Sequence, residues 1–488
     1  MKLKTIHIDG FRCFDKFDAS FTPGANVLIG RNGTGKSSLI HAIHKALSFI
    51  FSNDKSLGED FLSAGSNFLK INSFENTDFY LDAKTRENKP EIGISATSDY
   101  LGIPLKWELR MKTMGASSVY RSLYKDAFLM FMSMAKDKDN PWPLLAYYSD
   151  SFPHVNTKLG KSVLETINND IIPRNLGYYQ WDSETACTTL WETRMCNRLA
   201  KMQPLYTPAS RVAASLKGYD DTGKPESELD KIEAYRKLKE EKKRIDDIFT
   251  PLYNETEFVS KRLAAFIDML PKVQGENYQI DYFTPISTTD GYKLSLNFKS
   301  GKSLPFNELP AGFRRLYSIV FDIAYRSYIL NGTNEPYGVV IIDEIDLHLH
   351  PALEQCVLGA LQKTFHNIQF IVSTHSAAVI ANLNTSLNVN GTGNPLNQIL
   401  VMSEQKQHPE VLDNVFGVDY DSIIRDFMDS PSRNENLRKL EDDYLTYVSL
   451  GLEEESKSAY AKIKDLVGSD SKIIEAIDKK AEKYDVHK

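Results

Sequence analysis

The chain has 488 residues, 42% of them hydrophobic and 25% charged, with a formal net charge of −7 at pH 7. This length predicts two or three structural units with buried cores, and the negative balance argues against uniform, nonspecific binding to nucleic acid. The four cysteines have the spacing of neither a disulfide framework nor a zinc site, and no apolar run reaches the roughly eighteen residues that a membrane span needs.

The first ten residues, MKLKTIHIDG, read as a strand and lack the pattern of a signal peptide. We therefore expect a cytoplasmic protein that does not contact a membrane.

An apolar strand pattern at residues 26–29 runs into a complete P-loop pattern, GRNGTGKS, and then into the amphipathic segment LIHAIHKAL. The glycines let backbone N–H groups turn towards phosphates, and the following helix points its positive end at the anion. We expect the loop to bind a nucleoside triphosphate, with Lys36 reaching its β- and γ-phosphates and Ser37 binding Mg²⁺. The predicted phosphate-binding residues are Gly30, Arg31, Asn32, Gly33, Thr34, Gly35, Lys36, Ser37 and Ser38.

A long insertion follows the P-loop helix. Residues 77–112 alternate as strands do, in DFYLDA, EIGISAT and LKWELRM, which predicts an antiparallel side sheet. Residues 143–150, PLLAYYSD, predict a buried strand. Residues 150–275 read as mostly helical, and residues 227–249 predict an amphipathic helix of about six turns. The apolar heptads are too few for a long coiled-coil arm, so we expect a short helical lid.

Basic residues are concentrated in residues 192–217, beside several aromatic residues. Glu192 is the only acid in this segment, and its cations are Arg194, Arg198, Lys201, Arg211 and Lys217. The pattern fits either a DNA or RNA contact surface or a solvated helix face over an aromatic core.

Two predicted strands further along the chain end in candidate catalytic and phosphate-binding side chains. Residues 338–351, GVVIIDEIDLHLHP, contain a continuous β-branched run that predicts a central parallel strand. Ligands of such sheets lie at the carboxyl ends of strands, so Asp343 is placed to coordinate Mg²⁺ through water and Glu344 to act as general base. The next apolar strand pattern ends at His375, whose imidazole could hydrogen-bond the γ-phosphate and report its presence.

A metal site at His348 and His350 is the other interpretation of this region, because imidazoles are common metal ligands. We do not favour it, since no cysteine or third histidine lies at ligand-like spacing.

Together with the turn at residues 309–315, LPAGFRR, these segments resemble the head of ABC-type ATPases of the RecF, SMC and OLD-like branch, over residues 1–50 and roughly 290–385. The resemblance implies an α/β P-loop head, with a mostly parallel sheet and an antiparallel side sheet, split by a helical lid and followed by a helical tail. It also implies that two heads dimerise around ATP.

The resemblance assigns roles to two further segments. In this branch the turn at 309–315 meets the γ-phosphate held by the other protomer, which makes Leu309, Ala311, Gly312 and Arg314 candidate nucleotide contacts. Pro310 stands where the usual pattern has serine, so the hydroxyl contact is missing. The Gly-Phe-Arg turn at residues 10–12 folds over the adenine and ribose in this branch, which makes Arg12 a candidate phosphate or ribose contact.

The C-terminal region decides whether the chain carries a nuclease. Asp419-Tyr420-Asp421 has the Asp-x-Asp form of a Toprim metal site, but no Glu-Gly turn precedes it, so we expect Asp419 or Asp421 to cap a helix instead. We therefore predict an ATPase without its own nuclease site. The predicted division is 1–149 and 276–400 for the two halves of the head, 150–275 for the lid and 401–488 for a helical partner-docking region.

With these features the chain resembles the PtuA-like ATPases of Septu and retron-associated anti-phage defence systems. That resemblance implies a separately encoded HNH-type nuclease as partner and heads that form a homodimer or a higher homo-oligomer. The alternative is a RecF-like DNA-repair ATPase that acts as an ATP-dependent DNA clamp without a nuclease.

Overall fold

The computed structural model describes residues 1–52, 69–116, 119–137, 139–149, 161–181, 188–271, 279–288, 291–389, 393–404, 406–413, 415–428, 434–468 and 471–485. It has two compact units, Met1–Gly417 and Val418–Lys488. The four-part division expected from the sequence stays a prediction.

The strands are β1 Lys2–Phe11, β2 Phe14–Ser20, β3 Ala25–Ile29, β4 Ile92–Tyr100, β5 Ile103–Met111, β6 Leu144–Tyr148, β7 Ile280–Thr288, β8 Gly291–Phe298, β9 Ser303–Pro305, β10 Gly338–Ile342, β11 Ile368–Ser373, β12 Gln398–Val401 and β13 Glu410–Leu412. The helices are α1 Lys36–Leu47, α2 Lys125–Ala135, α3 Lys161–Asn168, α4 Thr188–Met202, α5 Tyr206–Asp220, α6 Glu226–Leu229, α7 Glu233–Asp268, α8 Ala311–Asn331, α9 Pro351–Glu354, α10 Val357–Thr364, α11 Ala377–Ala381, α12 Tyr420–Asp426, α13 Glu435–Leu450, α14 Glu453–Val467 and α15 Lys472–Asp485.

A central sheet has the strand order β13-β12-β3-β11-β10-β6. All its pairs are parallel except the pair that β13 makes with β12 at one edge. Strands β3, β6, β10 and β11 are buried at every residue, as expected of apolar runs with both faces covered. Because β3, β11 and β10 are neighbours, the segments that follow them meet at one edge of the sheet. The predicted buried strand at 143–150 is confirmed as β6.

An antiparallel sheet, β2-β1-β4-β5, forms the side sheet that the alternating pattern predicts. The prediction of a strand at DFYLDA is wrong. Phe79 makes only an isolated bridge to Phe11, and Leu81 makes one to Asn88. A third sheet joins β7, β8 and β9. The predicted fold class, a P-loop head with parallel and antiparallel sheets, a helical insertion and a helical C-terminal region, is confirmed.

The amphipathic helix expected at 227–249 is divided in the structure. Short α6 is followed by Ile232 in an extended conformation, and α7 then continues for 36 residues, about 54 Å at 1.5 Å per residue. The break lets Leu229 pack with Val212, Leu216 and Tyr235 in a small core of the insertion. Tertiary packing therefore overrides the periodic pattern at this point.

The basic segment of the insertion is partly internal. Arg194 donates from Nε and Nη2 to Glu255 at 2.5 and 2.8 Å, and Arg198 Nε donates to the same carboxylate at 3.1 Å. Both arginines are 2% exposed, so the interpretation of this segment as a nucleic-acid surface is wrong at these two positions. Its remaining cations, Lys201, Arg211 and Lys217, are exposed.

Helix α8 joins the insertion to the central sheet through a buried carboxylate. Asp322 accepts hydrogen bonds from Tyr148 Oη at 2.7 Å, Trp191 Nε1 at 2.5 Å and Arg326 Nε at 2.6 Å. Tyr148 ends β6 and Trp191 lies on α4, so one side chain ties three elements together.

The second unit is helical. Helices α13 to α15 share a core of Leu437, Ile463, Ile474 and Ile477. Asp419 caps α12, accepting the Ser422 N–H at 2.9 Å, which confirms the predicted capping role. Among the described helices of either unit, none is long and apolar enough to cross a bilayer.

Candidate functional site

The P-loop lies between β3 and α1, as the sequence predicts. Gly35 precedes α1 with a φ of 97°, and an added Cβ there would lie 2.5 Å from the Phe14 ring. Only glycine fits both this backbone conformation and this close approach. Arg31, Asn32, Gly33 and Ser37 are exposed, Ser38 is half-buried, and Thr34 donates from Oγ1 to the Arg31 carbonyl at 2.9 Å.

The Lys36 side chain folds back onto the loop. Its Nζ donates to the carbonyls of Gly30 and Arg31 at 2.8 and 3.0 Å. Burial lowers the pKa of Lys36, while the carboxylates of Asp343 and Glu344 act in the opposite direction. The P-loop lysine and the acidic pair are therefore close enough for their charges to interact. A bound phosphate would replace the carbonyls of Gly30 and Arg31 as the acceptor of the lysine's hydrogen bonds.

The acidic pair follows β10 directly. Asp343 is 7% exposed, whereas Glu344 is half-buried with a φ of 50°, a conformation that is costly for residues other than glycine. Ser373 Oγ donates to Asp343 Oδ1 and accepts the Glu344 N–H at 2.8 Å. Arg315 Nη2 donates to the carbonyls of Asp343 and Glu344 at 3.0 and 3.1 Å.

Thr374 and His375, which directly follow β11, are hydrogen-bonded to the loop that follows the acidic pair. Asp346 Oδ1 accepts from Thr374 Oγ1 at 2.6 Å and from the His375 N–H at 3.3 Å. His375 is exposed at the end of the strand, and Ser376 caps α11 through the N–H groups of Ala378 and Val379. His375 thus lies on the same sheet edge as the P-loop and the acidic pair.

The turn at 309–315 opens a helix, as predicted. Pro310 precedes α8, Leu309 is buried and Ala311 is exposed. A Cβ on Gly312 would lie 2.7 Å from the His348 carbonyl oxygen, so glycine lets the turn approach the loop after the acidic pair. Arg314 donates from Nη1 to the Asn307 carbonyl at 3.0 Å.

The two histidines of that loop have backbone roles. His348 has a φ of 64°, and His350 caps α9 by accepting the Ala352 N–H on Nδ1 at 3.2 Å.

Arg12 lies at the turn between β1 and β2, with a φ of 50°. Its Nε donates to Asp78 Oδ1 at 2.9 Å, and Lys45 Nζ lies 3.1 Å from Asp78 Oδ2. Burial alone would raise the pKa of Asp78, but the Glu75 N–H, Lys45 and Arg12 together hold it below its usual value. A charged carboxylate therefore orients Arg12.

A cavity of about 260 Å³ adjoins the P-loop beside this turn. Its walls come from the hairpin, the P-loop, Tyr80 and the loop after β12, namely Cys13, Phe14, Asp15, Lys16, Gly33, Thr34, Tyr80, Ser403, Glu404, Lys406 and Gln407.

The residues present fit a magnesium ion with few protein ligands. The Ser37 hydroxyl and the Asp343 carboxylate are hard oxygen donors, and Mg²⁺ is usually held by one or two protein groups together with water and substrate phosphates. In the part of the chain that the structure describes, no cluster of three or more His, Cys, Asp or Glu side chains could hold a metal alone.

Sequence reasoning missed Ser373 and Asp78, and it did not foresee that Arg315, in the predicted turn at 309–315, bonds the carbonyls of the acidic pair. The Ser-Thr-His-Ser segment carried a signal for Ser373, because a hydroxyl at the last residue of a strand beside the acidic strand can reach its carboxylates. Arg315 and Asp78 lie too far along the chain from their partners for any local pattern to connect them.

A P-loop, an acidic strand end and a neighbouring strand that leads to His375 lie on one edge of a parallel sheet, with a helix-opening turn nearby. These features define an ABC-type ATPase head. The family model described as "RecF/RecN/SMC N terminal domain" matches residues 2–398, and the chain belongs to that family. The expected membership of the RecF and SMC branch is confirmed.

Curated relatives agree with the predicted resemblance. The "Retron Vc95 probable ATPase" of Vibrio cholerae is 26% identical, over 78% of this chain and 71% of that protein. The "Retron Ec83 probable ATPase" of Escherichia coli is 23% identical, over 78% of this chain and 69% of that protein. The "Septu protein PtuA" of Bacillus mycoides is 33% identical over 85 residues, which cover 14% of this chain and 12% of that protein. The predicted similarity to retron-associated and PtuA-like ATPases is confirmed, and the RecF-like clamp is not favoured.

Proposed function

We propose that this chain is the ATP-hydrolysing subunit of a bacterial anti-phage defence complex, in which heads dimerise around ATP and regulate a separately encoded nuclease of HNH type. The observation that carries the proposal is that β11 pairs with both β3 and β10, so the P-loop and the acidic pair follow strands at the same edge of the sheet, and both carboxylates act on the charge of Lys36. The retron ATPases that match most of the chain support the defence setting.

Each site residue has a role that follows from its position. Lys36 exchanges its two carbonyl acceptors for phosphate oxygens, and the N-terminus of α1 adds backbone donors. Glu344, half-buried beside the P-loop, accepts a proton from the attacking water. Mg²⁺ held by Ser37 and Asp343 would neutralise charge on the phosphates. His375 lies at the same edge, where it can hydrogen-bond the γ-phosphate.

Dimerisation is supported by the geometry of the turn that opens α8. Pro310 and Ala311 are exposed, so the positive end of this 21-residue helix is open to a phosphate bound by a second head. Gly312 keeps this turn against the loop that carries Asp346.

Helix α8 supports transmission of the nucleotide state to the insertion. Near its start, Arg315 holds the carbonyls of Asp343 and Glu344. Two turns later, Asp322 holds Trp191 of α4. A displacement of the acidic pair therefore reaches the insertion through one rigid element.

Partner docking on the second unit is supported by its exposed apolar side chains. Leu450, Leu452 and Leu466 are 65%, 40% and 56% exposed, and they leave apolar side chains on this unit for a partner to cover. Deleting residues 418–488 should abolish copurification of the nuclease while ATP binding by the first unit persists. Copurification that survives the deletion would exclude this docking site.

The first test is mass analysis of Glu344→Gln, expressed with its genomic neighbours and supplied with ATP and Mg²⁺. Loss of the general base should trap ATP in a dimer or larger assembly that carries a nuclease. Lys36→Ala, which cannot hold the phosphates, is the matched control and should remain free of ATP. A Glu344→Gln protein that binds ATP as a monomer would refute the dimer, and an ATP dimer without a nuclease would refute the defence assembly.

A further inference from the structure

One buried hydroxyl bonds both members of the acidic pair. Ser373 is the last residue of β11, which pairs with β10 so that Val372 faces Ile342. The side chain is 1% exposed. Its Oγ donates to Asp343 Oδ1 and accepts the Glu344 N–H at 2.8 Å.

The second of these bonds supports a strained backbone. Glu344 has a φ of 50°, and a residue with a side chain stays in that region only where its surroundings hold it there. Its N–H points into the protein, where a donor without an acceptor is costly. Ser373 supplies the acceptor, so it fixes the direction in which the Glu344 side chain leaves the chain.

The first bond orients the neighbouring carboxylate. A hydroxyl has one proton, and because Ser373 gives it to Oδ1 of Asp343, this bond fixes the orientation of the carboxylate. The two bonds work together, since the acceptance from Glu344 and the donation to Asp343 require one rotamer of the same side chain.

We propose that Ser373 is a positioning residue that sets the acidic pair for hydrolysis but contributes little to ATP binding. This inference rests on the proposed ATPase activity. Other contacts hold the loop without it: Arg315 retains the carbonyls of Asp343 and Glu344, and Asp346 retains its bond from Thr374. A variant that lacks only the hydroxyl should therefore fold, with the acidic pair less well fixed.

The test compares ATP hydrolysis by Ser373→Ala, Ser373→Thr and the wild type. Ser373→Ala should lower kcat about 10- to 100-fold, the usual effect of removing a group that orients a metal-binding or catalytic side chain, while KM for ATP changes less than about 3-fold. Ser373→Thr keeps the hydroxyl and should recover most of kcat. The matched control is Ser98→Ala, since Ser98 is equally buried on β4 and its hydroxyl bonds nothing in the described chain.

A second measurement does not depend on activity. Hydrogen exchange of the nucleotide-free protein, read on a peptide that begins at least two residues before Asp343 and ends after Glu344, should show the Glu344 amide exchanging at least about 10-fold faster in Ser373→Ala than in Ser98→Ala, because its acceptor is gone. Unchanged exchange, or a Ser373→Ala protein with wild-type kcat, would overturn the inference. A wild-type protein that does not hydrolyse ATP would instead refute the proposed function, and the exchange experiment would still decide the role of Ser373.

Discussion

Acidification should destabilise this protein through one histidine of the P-loop helix. His44 is 4% exposed and packs between Tyr147 and Trp181, with ring centroids 5.0 and 4.6 Å away. Its Nδ1 lies 3.3 Å from Asn72 Nδ2, and its Nε2 has no hydrogen-bond partner among the described residues. Burial, with His41 and Lys45 adding to it, lowers the pKa of His44 from 6.5 to about 3.

The direction and the size of this change in the free energy of unfolding follow from how many protons the folded and unfolded chains bind. Below pH 6.5 the unfolded chain protonates this histidine, while the folded chain keeps it neutral down to about pH 3. The free energy of unfolding therefore falls as the pH is lowered through this window. Between about pH 7.5 and about pH 5.5, His44 alone should remove about 1.4 kcal/mol.

The assay is urea unfolding at both pH values, followed by circular dichroism, for the wild type and His44→Phe. Phenylalanine keeps a ring in the site and stays neutral, so any constant packing cost cancels when each protein is compared with itself. The loss on acidification should be smaller in His44→Phe by about 1.4 kcal/mol. His7→Phe is the control, since His7 is exposed beside Asp18. An equal loss in wild type and His44→Phe would mean that the folded protein accommodates the charged imidazole, which would refute the reasoning.

Three further perturbations test other parts of the structure. Asp322→Asn leaves Arg326 buried without its counter-charge and should lower the free energy of unfolding by at least about 3 kcal/mol in urea melts, whereas Ser318→Ala, one turn earlier, should be nearly neutral. Glu192 has the opposite pH response to His44, because burial raises its pKa from 4.5 to about 7 against the pull of Lys293. Its stabilising contribution is present at low pH and is lost as the pH rises from 4.5 to about 7, so Glu192→Gln should gain stability relative to the wild type across this window in the same melts. Arg12→Ala and Asp78→Asn should each weaken binding of a fluorescent ATP analogue about 10-fold, and the double variant should be no weaker, because both act through one guanidinium; additive losses would contradict this.

Much of the head was predictable because its signals are local. The P-loop is a contiguous pattern with a strand before it and a helix after it, and the apolar runs of β10 and β11 suit only buried strands. The sequence did not reveal which side chains and strands that are far apart along the chain are partners in the fold. The charge of Arg194 does not reveal that Glu255 neutralises it, and the hydroxyl of Ser373, although it stands at a predicted strand end, cannot be assigned to the acidic pair until β11 is known to lie beside β10. Two predictions were wrong because they relied on local periodicity: the strand at DFYLDA and the single helix over residues 227–249. In both places packing overrides the local pattern.

The strand order of the central sheet has a consequence for how the protein is made. Strand β3, which carries the P-loop, has β11 and β12 as its neighbours, and both are synthesised more than three hundred residues later. At bacterial or eukaryotic elongation rates the ribosome needs tens of seconds to supply them, and such nonlocal contacts form slowly. During that interval the apolar β3 segment has no sheet partner and depends on the rest of the nascent chain, or on chaperones, for protection from aggregation. The nucleotide site is therefore among the last parts of the head to form, and an incomplete chain cannot hydrolyse ATP prematurely.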